Sequence, residues 1–214
     1  MRVYTHPVCL DHQPGAGHPE CPARLQAVTE SLRAAFPIID WHEAPLASRE
    51  AAERVHAKAL VDAVFDARFD GDAPVRLDAD TVMSPASPEA ARRAAGAVIA
   101  AVDAVLRDEV PRAFCAVRPP GHHATRDTAM GFCLLNGIAI GEAHAVEAHG
   151  LARVAVVDFD VHHGNGTEAI FAAEPRVAYL SSHQNPLYPG TGLEGDVGVG
   201  NVVNAPLPPR SGSA

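Results

Sequence analysis

The sequence predicts an α/β fold, a mainly parallel sheet with helices on both faces, and three observations lead there. Apolar runs of strand length alternate with segments of helical spacing along the whole chain. The stretches richest in histidine and aspartate follow directly after predicted strands, where open α/β sheets bind their ligands. No internal repeat or low-complexity linker interrupts the 214 residues, so one domain over 1–214 is expected.

Taken in order, residues 2–6 read as the first strand, and residues 7–20, rich in His, Pro and Gly, as a loop. Pro22 opens a helix whose Leu25, Val28, Leu32 and Phe36 fall at helical spacing and form the expected sheet-facing stripe. Residues 38–41 are a second strand, Ser48 caps a helix running to Arg54, and a further helix spans about 57–65. Residues 71–88 read as loop, with Asp78 and Asp80 as solvated charges at its rim. Ser87-Pro88-Glu89 starts the longest helix, with Ala91, Ala94, Val98, Val102, Val105 and Leu106 as its buried stripe.

A strand over 112–117 then runs into Arg118-Pro119-Pro120-Gly121-His122-His123-Ala124, where two prolines exclude regular structure and hold both histidines just past the strand end. Residues 135–149 form a helix closed by Gly150, and residues 153–159 a buried strand. A short helix over 167–172, a strand over 176–181, a Gly/Pro loop and the start of one more strand at 202–204 complete the pattern.

The net charge of −9 argues against binding to phosphate backbones, so no nucleic-acid partner is expected. Cys9, Cys21, Cys115 and Cys133 form no CxxC pair, which points to reduced thiols and a reducing compartment. With no signal-peptide pattern and no apolar run of about 18 residues, a cytoplasmic protein without a membrane partner is expected.

The chemistry concentrates in Asp158-Phe159-Asp160-Val161-His162-His163-Gly164-Asn165-Gly166-Thr167. Strand side chains alternate, so Asp158, Asp160 and His162 share a face if the strand continues that far. Hard oxygen and borderline nitrogen together suit zinc or a similar divalent ion. Asp160 and His162 are the candidate metal ligands, with His122 and His123 as general base and general acid. Asp158 is better used to orient His122 than to bind metal. Such a set would hydrolyse an amide with metal-activated water.

These residues resemble the zinc-dependent histone deacetylase superfamily. The resemblance rests on Arg118-Pro119-Pro120-Gly121-His122-His123-Ala124, on Gly131-Phe132-Cys133 with Asn136, and on the Asp158 to Thr167 segment. His18-Pro19-Glu20-Cys21-Pro22-Ala23-Arg24-Leu25 and Tyr188-Pro189-Gly190-Thr191-Gly192 are similar to that family as well. It implies the three-layer arginase/deacetylase-like fold and one catalytic Zn2+ held by Asp160 and His162. His122, His123 and Asp158 would be the catalytic set. Phe132 and Tyr188 would flank an acyl-lysine channel, and Asp158, with backbone carbonyls near it and near Ser181, would hold a structural K+. Asn165 stands where class I members place an aspartate, so the chain resembles class II and bacterial relatives, acetylpolyamine amidohydrolases among them. Leu135-Asn136 departs from the commoner Asn-Asn pair, and Arg24 reads as a structural ion-pair partner.

The implied substrate is an acetylated lysine in protein, an acetylpolyamine or a small acetylated amine, with oligomeric state left open. Family members also have a later aspartate ligand and a tyrosine or histidine that stabilises the oxyanion. Neither is found before Ala214, and Asp196 sits in unlike surroundings. The expectation is therefore a domain incomplete at its C-terminus and inactive as it stands. Two alternatives remain open: a non-catalytic metal-binding module of the same fold, and a manganese ureohydrolase. The latter favours Asp-x-His-x-Asp, whose last position here is Gly164.

Overall fold

In the computed structural model, which describes residues 1–212, two three-stranded parallel sheets carry the chain. In the first, β1 (Arg2–Thr5) lies between β2 (Asp40–Glu43) and β5 (Ala113–Cys115). In the second, β7 (Val177–Gln184) lies between β6 (Val154–Asp158) and β8 (Val202–Leu207). A small antiparallel hairpin joins β3 (Val75–Arg76) to β4 (Val82–Met83). The parallel pairing needs crossovers. Helix α2 (Pro22–Ala35) supplies one between β1 and β2, after the short α1 (Val8–Asp11), and α7 (Asn165–Phe171) supplies another between β6 and β7. Helices α3 (Arg49–Glu53), α4 (Lys58–Phe65), α5 (Ser87–Leu106) and α6 (Gly137–Glu147) complete the layers. The largest core cluster joins Val61, Val64, Met83, Leu134, Ile140, Val177 and Tyr179.

Two helix starts follow the expected capping chemistry. The Ser48 side chain accepts the Ala51 N–H at 3.1 Å. Asn136 caps α6 through the Ala139 N–H at 3.0 Å, and its amide donates to the Ala124 carbonyl and the Thr167 hydroxyl at 3.2 and 3.0 Å. One buried asparagine thus ties α6 to the histidine loop and to α7.

Several expectations are corrected. The α2 stripe is narrow: Leu25 is buried, whereas Val28 and Phe36 are exposed. Strand β2 starts two residues later than 38, and Ile38 projects into solvent. The 71–88 segment contains the β3–β4 hairpin, because the Asp78 carboxylate accepts the Asp80 and Thr81 N–H groups at 2.9 and 2.6 Å and folds an Asx turn. On α5 Ala91 and Ala94 are buried as expected, together with Ala90, Ala95, Gly96 and Ala97, but Val98, Val102 and Val105 are half-buried and Leu106 is exposed. A Cβ on Gly96 would strike the Pro45 carbonyl and one on Gly141 of α6 would strike Val98. Close approach of the Pro45 loop and of α6 thus selects small side chains there. Strand β6 is not buried on both faces. As the outer strand of its sheet it leaves Val157 exposed, and Phe159 beyond it is exposed as well.

The buried ion pair is not made by Arg24. Glu20 and Arg118, both nearly solvent-free, face each other, with Arg118 Nη2 to Glu20 Oε2 at 2.7 Å and Arg118 also donating to the Cys9 and His12 carbonyls. Burial raises the Glu20 pKa, but hydrogen bonds from His12 and Arg118 more than offset this and bring it down to about 2. A carboxylate with a depressed folded-state value contributes stability above its ordinary value near 4.5 and loses it as pH falls toward 2. Arg118→Met strands a buried carboxylate, so chemical denaturation at neutral pH is expected to show a loss of about 3–5 kcal/mol. That loss should shrink as pH falls from about 4.5 toward 2, because Glu20 is then protonated.

Candidate active site

The candidate site forms where β6 and the 118–124 loop end side by side. Strand β6 stops at Asp158, so strand alternation does not align Asp158, Asp160 and His162 as the sequence suggests. Two successive turns do so instead. The Asp160 N–H donates to Asp158 Oδ1 at 3.1 Å, and the His162 N–H donates to Asp160 Oδ1 at 2.8 Å. Asp160 Oδ1 and His162 Nδ1 meet at 3.1 Å with 49% and 38% of the two side chains exposed, so both groups are open to an incoming ion.

Behind them lie the paired histidines. His122 Nδ1 meets Asp158 Oδ2 at 2.9 Å, and His123 Nδ1 meets Asn165 Oδ1 at 2.8 Å. The two rings are 4.0 Å apart, and the His123 ring is 6.0 Å from that of His162 and 5.1 Å from that of Tyr188. Burial, reinforced by the neighbouring His122, pushes the His123 pKa down to about 4. Burial acts to raise the Asp158 pKa, but the hydrogen bond and charge of His122, with the Asp160 N–H and the Tyr179 hydroxyl, together outweigh it and lower the value. Burial, then the negative charges of Asp80 and Asp78, push the Tyr188 hydroxyl up to about 12.

Glycines make this crowding feasible. Gly131 has φ +56, and a Cβ there would lie 2.5 Å from the His123 ring. A Cβ on Gly164 would collide with the Asp158 carboxylate and lie 2.6 Å from the Tyr179 hydroxyl.

Asp158, Asp160, His162, His122, His123, Asn165 and Tyr188 are therefore brought together. Phe132 sits one residue from Gly131, its ring 4.6 Å from that of His18 and its N–H on the Thr81 hydroxyl. Ser181 is the in-register partner of Asp158, and its hydroxyl meets His183 Nδ1 at 2.9 Å. Sequence reasoning missed Tyr179, whose hydroxyl donates to Asp158 Oδ2 at 3.2 Å. The alternation of β7 was the available signal, since Val177, Tyr179, Ser181 and His183 all lie on its buried face. His163, the second histidine of the Asp158 to Thr167 segment, is wedged between Thr191 and Glu168 at 2.8 and 3.0 Å.

The histone deacetylase domain family matches residues 18–214. The chain belongs to this family. It is 44% identical over 207 residues to an uncharacterized protein of Synechocystis, covering 94% of this chain and 67% of that one. It is 40% identical over 205 residues to a histone deacetylase-like amidohydrolase of Pseudomonas aeruginosa, covering 92% of this chain and 53% of the relative. The crystal structure of the HDA15 HD domain superposes with TM-score 0.89 at 37% identity, covering 96% of this chain and 61% of that one. The chain thus spans about half to two thirds of the length of these relatives.

In this deacetylase-family chain the donor set at Asp160 and His162 fits a zinc-class ion, a carboxylate and an imidazole converging at 3.1 Å. Among the described residues these two donors stand without a third close enough to complete a three-atom cluster. Such a cluster occurs elsewhere, at Asp103, His144 and His149. Also among the described residues, no helix is long and apolar enough to cross a membrane.

Proposed function

We propose that the site hydrolyses an acetylated amine, an acetyl-lysine side chain or an acetylpolyamine, as a zinc-dependent amidohydrolase. The observation that carries this reading is the pair of oriented imidazoles, His122 on Asp158 and His123 on Asn165, set beside the Asp160–His162 donor pair. When bound by Asp160 and His162, zinc supplies polarisation of the acyl carbonyl and a more acidic water. The remaining donors come from water or from outside the described residues.

His123 gives its Nδ1–H to Asn165, which leaves the Nε2 lone pair facing the site. Held neutral by burial, it accepts the proton of the attacking water. His122, oriented by Asp158, works with it to return that proton to the departing amine. Tyr188 and Phe132 wall the approach of an apolar stem with aromatic faces. Asp158, with backbone carbonyls around it and Ser181, holds a structural K+, and the neutral Asn165 marks a class II-like member. Four unpaired thiols fit a reducing, cytoplasmic setting.

The test offers an acetyl-lysine peptide, an acetylated diamine and a guanidino compound to the protein as its own gene encodes it, loaded with zinc or manganese. Acetate release with zinc supports the reading. Urea release with manganese would move the protein to the ureohydrolases, and metal uptake without any turnover would make it a binding module.

Replacing Asn165 by a carboxylate strengthens the partner of His123 and raises its proton affinity. If His123 works as a base, protonation then removes activity at higher pH. Asn165→Asp is expected to shift the acidic limb of the pH–rate profile upward by on the order of one unit. An unchanged profile in a folded, metal-loaded variant would show that the two side chains are uncoupled.

A further inference from the structure

Both carboxyl ends of α5 and α6 finish at the same place, and metal-ligating side chains collect there. The two helices run in the same direction, since Gly137 packs on Ala95, Gly141 on Val98, and His144 meets Asp103. The amino end of α6 faces the candidate active site through Asn136, which bonds Ala124 and Thr167. Over the 11 residues of α6 this puts the carboxyl ends about 16 Å away from it.

We propose that Asp103, His144 and His149 form a second divalent-metal site that clips these two helix ends together. His144 Nε2 and His149 Nε2 each lie 2.7 Å from the same oxygen, Asp103 Oδ1. The imidazole rings stand 5.1 Å apart and nearly perpendicular, at 83°. Their ligating atoms and that of Asp103 all lie within 4.8 Å of one another. The side chains are between 16% and 23% exposed, sheltered yet reachable from solvent.

The local chain explains the convergence. His144 lies in the last turn of α6, the Ala148 and His149 N–H groups both close on the His144 carbonyl and keep His149 beside it, and Gly150 at φ +68 then turns the chain away. The other oxygen of Asp103 is held by Arg107 at 3.1 Å, which fixes the carboxylate and leaves Oδ1 toward the rings. The negative ends of two parallel helix dipoles favour a cation at this spot.

Two imidazoles and one carboxylate suit zinc, nickel or copper rather than magnesium or calcium. Each ring would present its Nε2 lone pair in the Nδ1–H tautomer. Bonds of about 2.0–2.2 Å would then replace the two contacts that now end on Asp103, with water completing the coordination. The inference does not depend on the deacetylase reading, because none of its ligands is shared with that site.

Cobalt(II), a spectroscopic stand-in for zinc, would be titrated into the Asp160→Asn/His162→Gln chain, in which the other donor pair is removed. Bound metal is counted by equilibrium dialysis, visible absorption reports coordination and circular dichroism reports folding. One equivalent is expected, with a rise in Tm. Adding His149→Gln, which lies past the helix end, should abolish both uptake and Tm rise, and adding His144→Gln instead should do the same. No uptake by the folded double variant would overturn the proposal. So would uptake that survives in folded chains carrying either added histidine substitution.

Discussion

Asp160→Ala and His162→Ala are each expected to weaken zinc binding at the candidate active site at least about 100-fold. The two side chains are the only donors that converge there among the described residues, meeting at 3.1 Å. Removing either leaves one donor where catalytic zinc sites normally have three. The measurement is zinc content after loading and dialysis, made with His149→Gln in parent and variants alike so that the helix-end cluster does not contribute. Occupancy equal to the parent's in both variants would place the ligands elsewhere.

His123→Ala should behave in the opposite way. It removes a ring 6.0 Å from that of His162 without removing a donor, so zinc should stay while acetate release falls at least about 10²-fold. Zinc content and turnover, measured on one preparation, are expected to separate. Joint loss of both would make His123 a ligand or a support for one. The same experiment on Asp160→Ala should show the two readouts falling together, which makes the contrast between the variants informative.

Much of this site was legible because short-range chemistry determines it. Two prolines confine His122 and His123 to one loop, and a carboxylate two residues before Asp160 is aimed at His122 as expected, at 2.9 Å. The convergence of Asp160 and His162 was also legible, though for the wrong reason. Backbone N–H groups bonding to Asp158 and Asp160, and not strand alternation, produce it. What remained hidden depends on distant partners. Glu20 meets Arg118 across 98 positions, and Asp103 meets His144 and His149 across 41 and 46. No periodicity encodes such pairs. The α5 stripe was right at Ala91 and Ala94 and misjudged from Val98 onward, where large apolar residues were taken to mark burial, whereas the close approach of the Pro45 loop at Gly96 and of α6 at Gly141 buries alanines and glycines. The buried strand at 153–159 was misjudged in the other sense, since an apolar run does not reveal that its strand is the outer one of its sheet.

The central claim is that water attacks the acyl carbon of an acetylated amine at the Asp160–His162 and His122–His123 cluster. The most direct measurement is hydrolysis of an acetyl-lysine peptide in 18O-labelled water by the zinc-loaded protein as its gene encodes it, beside Asp160→Asn. The expected result is acetate carrying one solvent oxygen, free lysine side chain in equal amount, and loss of both products in the variant. Acetate that forms equally well in Asp160→Asn, or an acetyl group that leaves the lysine without taking up solvent oxygen, would contradict it.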